Sequence, residues 1–341
     1  LHTTLNRKVA VKIMRDHVEE DPESRARFER EAQVVAQLSH PNIIQIFDYD
    51  LVDGRPSLTM ELIPGATLGT YLKALHKRGE KLPFPTIIRL MTSIASAVDY
   101  AHAQNIAHRD IKPANILLRS KSGSIDVEQA LPEDVEPVLT DFGLVRLLDS
   151  ATQTSTGTVS GTPAYMSPEQ ARGDQVDRRT DIYSLGVVLY EMLAGVVPFD
   201  AESSFGILMK HLNDPPPPIP SISSDMQAII DRTLAKKPEH RFESAQALVK
   251  EFIAVFNGQT VSDDTEKIRK VLNPAYIAKP LVPQPQKDQQ PTNMRTALIA
   301  GGALVAILVA WFGFRSLRPP LQPAIASGAA NQSMGFVSYT D

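Results

Sequence analysis

Over the first 63 residues, apolar positions alternate or fall in short runs. Lys8–Met14 alternates well enough to predict a strand from which Lys12 projects. Asp21-Pro22 supplies an N-cap and a first-turn proline, and Phe28, Ala32, Val35 and Leu38 then recur at helical spacing until His40-Pro41 stops them. Two apolar segments, Ile43–Asp48 and Ser57–Ile63, flank Asp53-Gly54 as the arms of a hairpin. Beyond Pro64-Gly65 the spacing changes to three and four. Ile87, Met91, Ile94, Val98 and Ala101 predict a long amphipathic helix ending near His102. Asp181–Gly195 is apolar almost all round, which suits a helix enclosed in a sizeable domain. Further helices are predicted near Asp225–Leu234 and Ser244–Phe256. From about Gly258 to Asn293 the chain is polar and broken by prolines, as in a linker. Thr296–Phe314 then runs for 19 residues without a charge between Arg295 and Arg315. As a helix it would be roughly 28 Å long, close to a bilayer core, with Trp311 near one interface. These patterns predict an α+β body in a strand-rich and a helical part, then a linker and one transmembrane helix.

Composition removes several classes of function. Lys plus Arg number 35 against 39 Asp plus Glu, a net charge of −4, so nucleic acid held by bulk positive charge is not an expected partner. Cysteine is absent, which excludes disulfides, thiolate metal sites and thiol nucleophiles. Of the 26 prolines, five lie in Pro215–Pro220 and eight from Pro274 onward, so the tail packs poorly and the earlier cluster reads as a loop.

The chemistry sits in an ordered, widely spaced set: Val9-Ala-Val-Lys12, Glu31, His108-Arg-Asp-Ile-Lys-Pro-Ala-Asn115, Asp141-Phe-Gly143 and Ser167-Pro-Glu169. Phosphoryl transfer asks for positioning and charge neutralisation more than covalent chemistry. A lysine on a strand can place a fixed positive charge on phosphates, and Glu31 borders the inward stripe of its helix, where it could hold that lysine. Asn115 and Asp141 offer oxygen ligands from two separate loops, a donor set that suits hard Mg²⁺. Five motifs in this order resemble the eukaryotic-like bacterial serine/threonine protein kinases with a single membrane pass, over roughly Arg7 to Phe256.

The resemblance implies the two-lobed protein kinase fold. Residues 1–63 would be a small N-lobe lacking its first strands, 64–257 a helical C-lobe, 258–295 a juxtamembrane linker, 296–314 the membrane helix and 315–341 an extracytoplasmic tail. It implies ATP and Mg²⁺ (Mn²⁺ as the alternative) as cofactors and protein Ser or Thr hydroxyls as acceptors. Asp110 would orient and deprotonate the acceptor, and Lys112 would neutralise the γ-phosphate. Asn115 and Asp141 would hold the metal, and Lys12 the α- and β-phosphates with Glu31 behind it. Ala10 and Leu117 would wall the adenine, with Met60 as gatekeeper and Glu61 to Ile63 as hinge. Lys112 together with Thr162 marks the serine/threonine class. Thr154 and Thr156 would be autophosphorylated and read by Arg109. Glu169 and Arg241 would form a buried ion pair, and Asp181 would anchor the catalytic loop. Because ATP is cytoplasmic, the kinase would face inward from the cell (inner) membrane.

Two departures stand out. No glycine precedes Gly54, so the glycine-rich loop that covers the phosphates is missing, and with Leu1 at the start the sequence reads as an N-terminally truncated piece. The joint between Asn115 and Asp141 is about twice the family's usual length, and polar Arg119–Glu136 within it reads as a surface insertion. A pseudokinase or membrane-anchored scaffold is the alternative function, supported only by the missing loop. Gly302, Ala306 and Ala310 would let two membrane helices approach as a homodimer, with lipid-facing packing as the equal alternative.

Overall fold

The computed structural model describes residues 8–13, 33–52, 55–121, 123–142 and 163–272. Residues 1–279 form one compact unit; the second, 280–341, lies outside the described residues, and with it the expected membrane helix 296–314 and the tail 315–341. Among the described residues no helix is long and apolar enough to cross a membrane.

The strand-rich part is a three-stranded antiparallel sheet. β1 (Val9–Ile13) and β2 (Ile46–Val52) both pair with β3 (Arg55–Glu61), giving the order β1-β3-β2. Register sets Lys12 opposite Leu58 and Ala10 opposite Met60. The sheet's apolar face, with Ile46, Leu58 and Met60, is buried. Of the expected helix between Asp21 and His40, only the turn at residues 33–36 is described, and Val35 and Leu38 point into the core.

The helical part begins with α1 (Leu68–Lys77), capped by the Thr67 side chain accepting from Thr70 N at 3.0 Å. α2 (Phe84–Ala103) buries Ile87, Met91, Ile94, Val98 and Ala101 along the predicted stripe, and Leu90 beside them. A short hairpin of β4 (Ile116–Arg119) and β5 (Glu136–Leu139) follows. α3 (Pro168–Arg172) opens with a reciprocal cap between Ser167 and Gln170. α4 (Arg179–Ala194) is buried on nearly every position, as a sequence apolar almost all round requires, and ends at Gly195 in a left-handed turn (φ 83°). α5 (Ser204–Asn213), the proline loop, α6 (Ser224–Thr233) and α7 (Ala245–Phe256) complete the lobe.

Two expectations change. The polar stretch from Gly258 is not irregular throughout: α8 (Asp263–Leu272) docks on α6. Its contacts are polar, with buried Thr265 accepting from Arg232 at 2.8 Å and Arg269 lying 3.8 Å from Asp225, so no apolar stripe announces it. The insertion between β4 and β5 lies on the surface but is stitched to the lobe. Tyr71 donates to the Gln129 carbonyl, Arg78 to that of Val127 and Arg89 to those of Pro132 and Glu133, while Ile125 and Val135 are buried.

Candidate active site

One buried carboxylate braces the loop that holds most of the candidate residues. Asp181, in the first turn of α4, accepts the backbone N–H groups of His108 (2.8 Å) and Arg109 (2.7 Å), and His102 Nε2 lies 2.7 Å from the same carboxylate. This grip holds Arg109 at φ 63°, a conformation that a non-glycine residue keeps only where its surroundings over-determine it. The His108 ring is buried against Phe142, with centroids 4.4 Å apart. Its Nδ1 accepts from Asp110 N at 3.3 Å, so the proton sits on Nε2, 3.1 Å from the Thr140 carbonyl it donates to. Burial pushes the pKa of this neutral ring below the usual histidine value.

Pro113–Asn115 closes the loop in one tight turn with proline at its start. Buried Asn115 donates from Nδ2 to the Asp110 carbonyl (2.9 Å) and to Asp110 Oδ2 (2.8 Å). Lys112 Nζ donates to the same Oδ2 at 2.7 Å. Oδ1 carries no hydrogen bond among the described residues. One oxygen of Asp110 is therefore fixed, and the other, free of hydrogen bonds among the described residues, can accept a proton.

Across the β4–β5 hairpin, Thr140 N donates to the Asn115 carbonyl at 3.0 Å, which ties the loop that carries Asp110 to Asp141. Asp141 is itself held at φ 61° and accepts from Lys12 Nζ at 2.6 Å. Both groups are about one third exposed, so water reaches this pair. The structure thus assembles two clusters, Lys12 with Asp141 and Asp110 with Lys112 and Asn115, joined through the backbone. Ala10 and Met60 are register partners, Met60 and Ile63 are buried, and Leu117 is half-buried on β4. Glu31, Thr154, Thr156 and Thr162 lie outside the described residues, as does Gly143. Asn115 and Asp141 fit Mg²⁺ by donor chemistry: neutral and anionic oxygens with no softer atom, for an ion that completes its shell from phosphates and water.

The expected ion pair is present, with Arg241 NH1 and NH2 each 2.7 Å from an oxygen of buried Glu169. Two groups escaped the sequence. Tyr165 donates to Glu191 at 2.6 Å, which fixes the Pro163–Tyr165 turn on α4; burial raises the pKa of both the Glu191 carboxyl and the Tyr165 phenol. Arg119 donates from NH2 to both oxygens of Glu61, at 2.9 and 2.8 Å. A signal existed for the second: Arg119 lies two residues beyond Leu117 on β4, hence on the same face.

The protein kinase domain family matches residues 1–253. The chain is 38% identical over 296 residues to a probable serine/threonine-protein kinase of Clostridium acetobutylicum, covering 86% of this chain and 42% of that protein. It is 37% identical over 281 residues to the serine/threonine-protein kinase PrkC of Bacillus subtilis, covering 78% and 40% respectively. With the serine/threonine-protein kinase PknB of Mycobacterium leprae it shares 38% over 265 residues, 75% of this chain and 40% of that one. The chain thus spans less than half the length of these relatives. Among solved structures, the kinase domain of Mycobacterium tuberculosis PknI (a double mutant) superposes with a TM-score of 0.55 at 26% identity, covering 73% of this chain and 86% of that one.

Proposed function

Because the chain belongs to the protein kinase family, in its bacterial serine/threonine branch, we propose that it transfers the γ-phosphate of ATP to Ser or Thr hydroxyls of proteins. The observation that carries this reading is the asymmetric Asp110 carboxylate, one oxygen fixed by Lys112 and Asn115 and the other without a hydrogen bond among the described residues. As the acceptor oxygen attacks phosphorus, its proton passes to Asp110 Oδ1 and the bond to the β-γ bridging oxygen breaks, releasing ADP. Lys112 stands beside the base, where negative charge shifts toward the acceptor. Lys12 supplies a positive charge to the α- and β-phosphates, exchanging its contact with Asp141 for them. Mg²⁺, held by Asn115 and Asp141, supplies charge neutralisation at the phosphates when bound.

Transfer from [γ-³²P]ATP to a basic protein tests this reading. The assay uses this chain and a form extended before Leu1 by a glycine-rich strand-turn-strand, since residues 1–53 contain no glycine to cover the phosphates. Asp110→Asn is expected to lower the rate by about a hundredfold or more. In the active form, peptide mapping should find phosphate on 150–162, with Thr154 and Thr156 foremost. Failure of both forms to transfer phosphate or bind ATP would leave a scaffold instead.

Residues 296–314 are proposed to cross the membrane once, with the kinase in the cytoplasm. The support is their length without charge and the small residues Gly302, Ala306 and Ala310, which suit a paired helix. Trp311 is the only tryptophan, so its emission reports this segment alone. Anionic phospholipid vesicles should shift it to the blue, and an unshifted spectrum refutes insertion.

A further inference from the structure

Behind the expected adenine wall, β4 does more than present Leu117. The segment that leaves the hinge is bound to this strand: Leu118 N donates to the Ala66 carbonyl at 2.9 Å, and Thr67 bridges Leu117. Gly65, at φ 156°, approaches so closely that a Cβ there would meet the Leu118 carbonyl oxygen at 2.6 Å. One residue on, Arg119 reaches back across the join between the lobes. Its register partner on β5 is Glu136, yet its guanidinium turns to Glu61, taking both carboxylate oxygens, and NH1 donates to the Pro41 carbonyl at 3.3 Å. Both side chains of the pair are about one third exposed.

The base of Arg119 is fixed as well. At the neck of the insertion, Ser120 Oγ donates to Asp134 at 3.0 and 3.1 Å, and Lys121 N donates to the same carboxylate at 2.8 Å. The far end of the insertion hangs on α1 through Tyr71 and Arg78. The neck therefore points a preorganised guanidinium at the end of β3, while Glu61 N is held from the other side by the Gln45 carbonyl at 2.9 Å.

We propose that Arg119 is a positioning residue for the nucleotide: its clasp on Glu61, set by the insertion, fixes the hinge backbone from Glu61 to Ile63 on which the adenine rests. The proposal builds on the kinase reading above. NH2 alone meets both carboxylate oxygens while NH1 reaches the Pro41 carbonyl, so the planar guanidinium spans two partners at once, whereas a lysine ammonium is a single point charge and the two are not equivalent here. Losing the clasp frees the hinge and lowers the share of molecules ready to receive adenine. Affinity for ATP then falls by that share.

The test is a kinetic split, made on the active form. Arg119→Ala should raise KM for ATP about fivefold, a modest coupling, and leave kcat and KM for the protein substrate within about twofold. Arg119→Lys should fall between, and the charge exchange of Arg119→Glu with Glu61→Arg should recover part of the loss. Direct titration with ADP should show the same ranking. Independently of catalysis, amide exchange at residues 62–67 should quicken in Arg119→Ala while the interior of α2 stays protected. An unchanged KM for ATP overturns the proposal, and if exchange has quickened the pair is structural only. A wild-type chain that neither binds nucleotide nor transfers phosphate defeats the kinase reading and this proposal with it, a result distinct from an active enzyme indifferent to Arg119.

Discussion

Burial by itself would raise the pKa of the Glu169 carboxyl, but two hydrogen bonds and the charge of Arg241, helped by the Thr180 hydroxyl at 2.9 Å, hold it below the usual carboxylate value. A folded-state pKa depressed in this way stabilises the protein fully above the unfolded value, about 4.3. That contribution disappears as pH falls through the lower, folded value. Arg241 also donates to the backbone of Ala235 and Arg179 and lies over the Tyr183 ring at 4.8 Å, so Glu169→Gln would strand a guanidinium in a buried network. Urea denaturation at pH 7 should show a loss of about 3–5 kcal/mol, as for removal of one partner of a buried pair. Below about pH 4.3 the gap between wild type and variant should narrow, because the wild type then loses the same charge. A gap that is constant with pH would mean that packing, not charge, sets the cost. The roles of this pair and of Asp181 were implied by the family resemblance. The Arg119–Glu61 clasp was not, because strand alternation tells which face a side chain takes but not what lies 58 residues away across it.

Elements with one apolar face or none exposed were the most legible. α2 and α4 fall where the three-and-four spacing and the nearly all-round apolar stretch put them, since burial enforces those patterns. The pattern says nothing about how closely two helices approach. Within α4, Gly186 is such a contact: a Cβ there would come within 2.5 Å of Thr233 Cγ2 and 3.1 Å of Leu234 Cδ2 at the end of α6. Thr233 cannot easily swing aside, because its hydroxyl donates to the Ile229 carbonyl at 2.7 Å. Alanine in mid-helix ordinarily gains about 1 kcal/mol over glycine. Overpacking costs about 1–3 kcal/mol, so the clash should win and Gly186→Ala should melt lower than wild type by calorimetry. A higher melting temperature would show that α6 yields and that propensity decides.

At the scale of the whole molecule, the folded body reaches past α7, beyond where the sequence pattern closes it. α8 was illegible because polar groups dock it: Ser262 donates from N and Oγ to Glu251 at 2.9 and 2.8 Å, and Arg232 from α6 is held between Thr265 and Glu251. Arg232 is largely enclosed, with its guanidinium 4.1 Å from the Phe242 ring centre, and burial lowers its pKa. Removing α8 would take Thr265 from a buried cation and uncover one face of α6. A hydrogen bond to a charged group is worth about 1.5–3 kcal/mol, and each kcal/mol moves the melting point of a body this size by about 2–4 °C. A chain ending at Gly258 should therefore melt about 3–12 °C below one ending at Leu272. The form ending at Leu272 should match the full chain, if α8 is the last segment that stabilises the kinase unit. Equal melting of the two shortened forms would make α8 a passenger. A further drop on cutting after Leu272 would place stabilising contacts in the stretch from 273 onward.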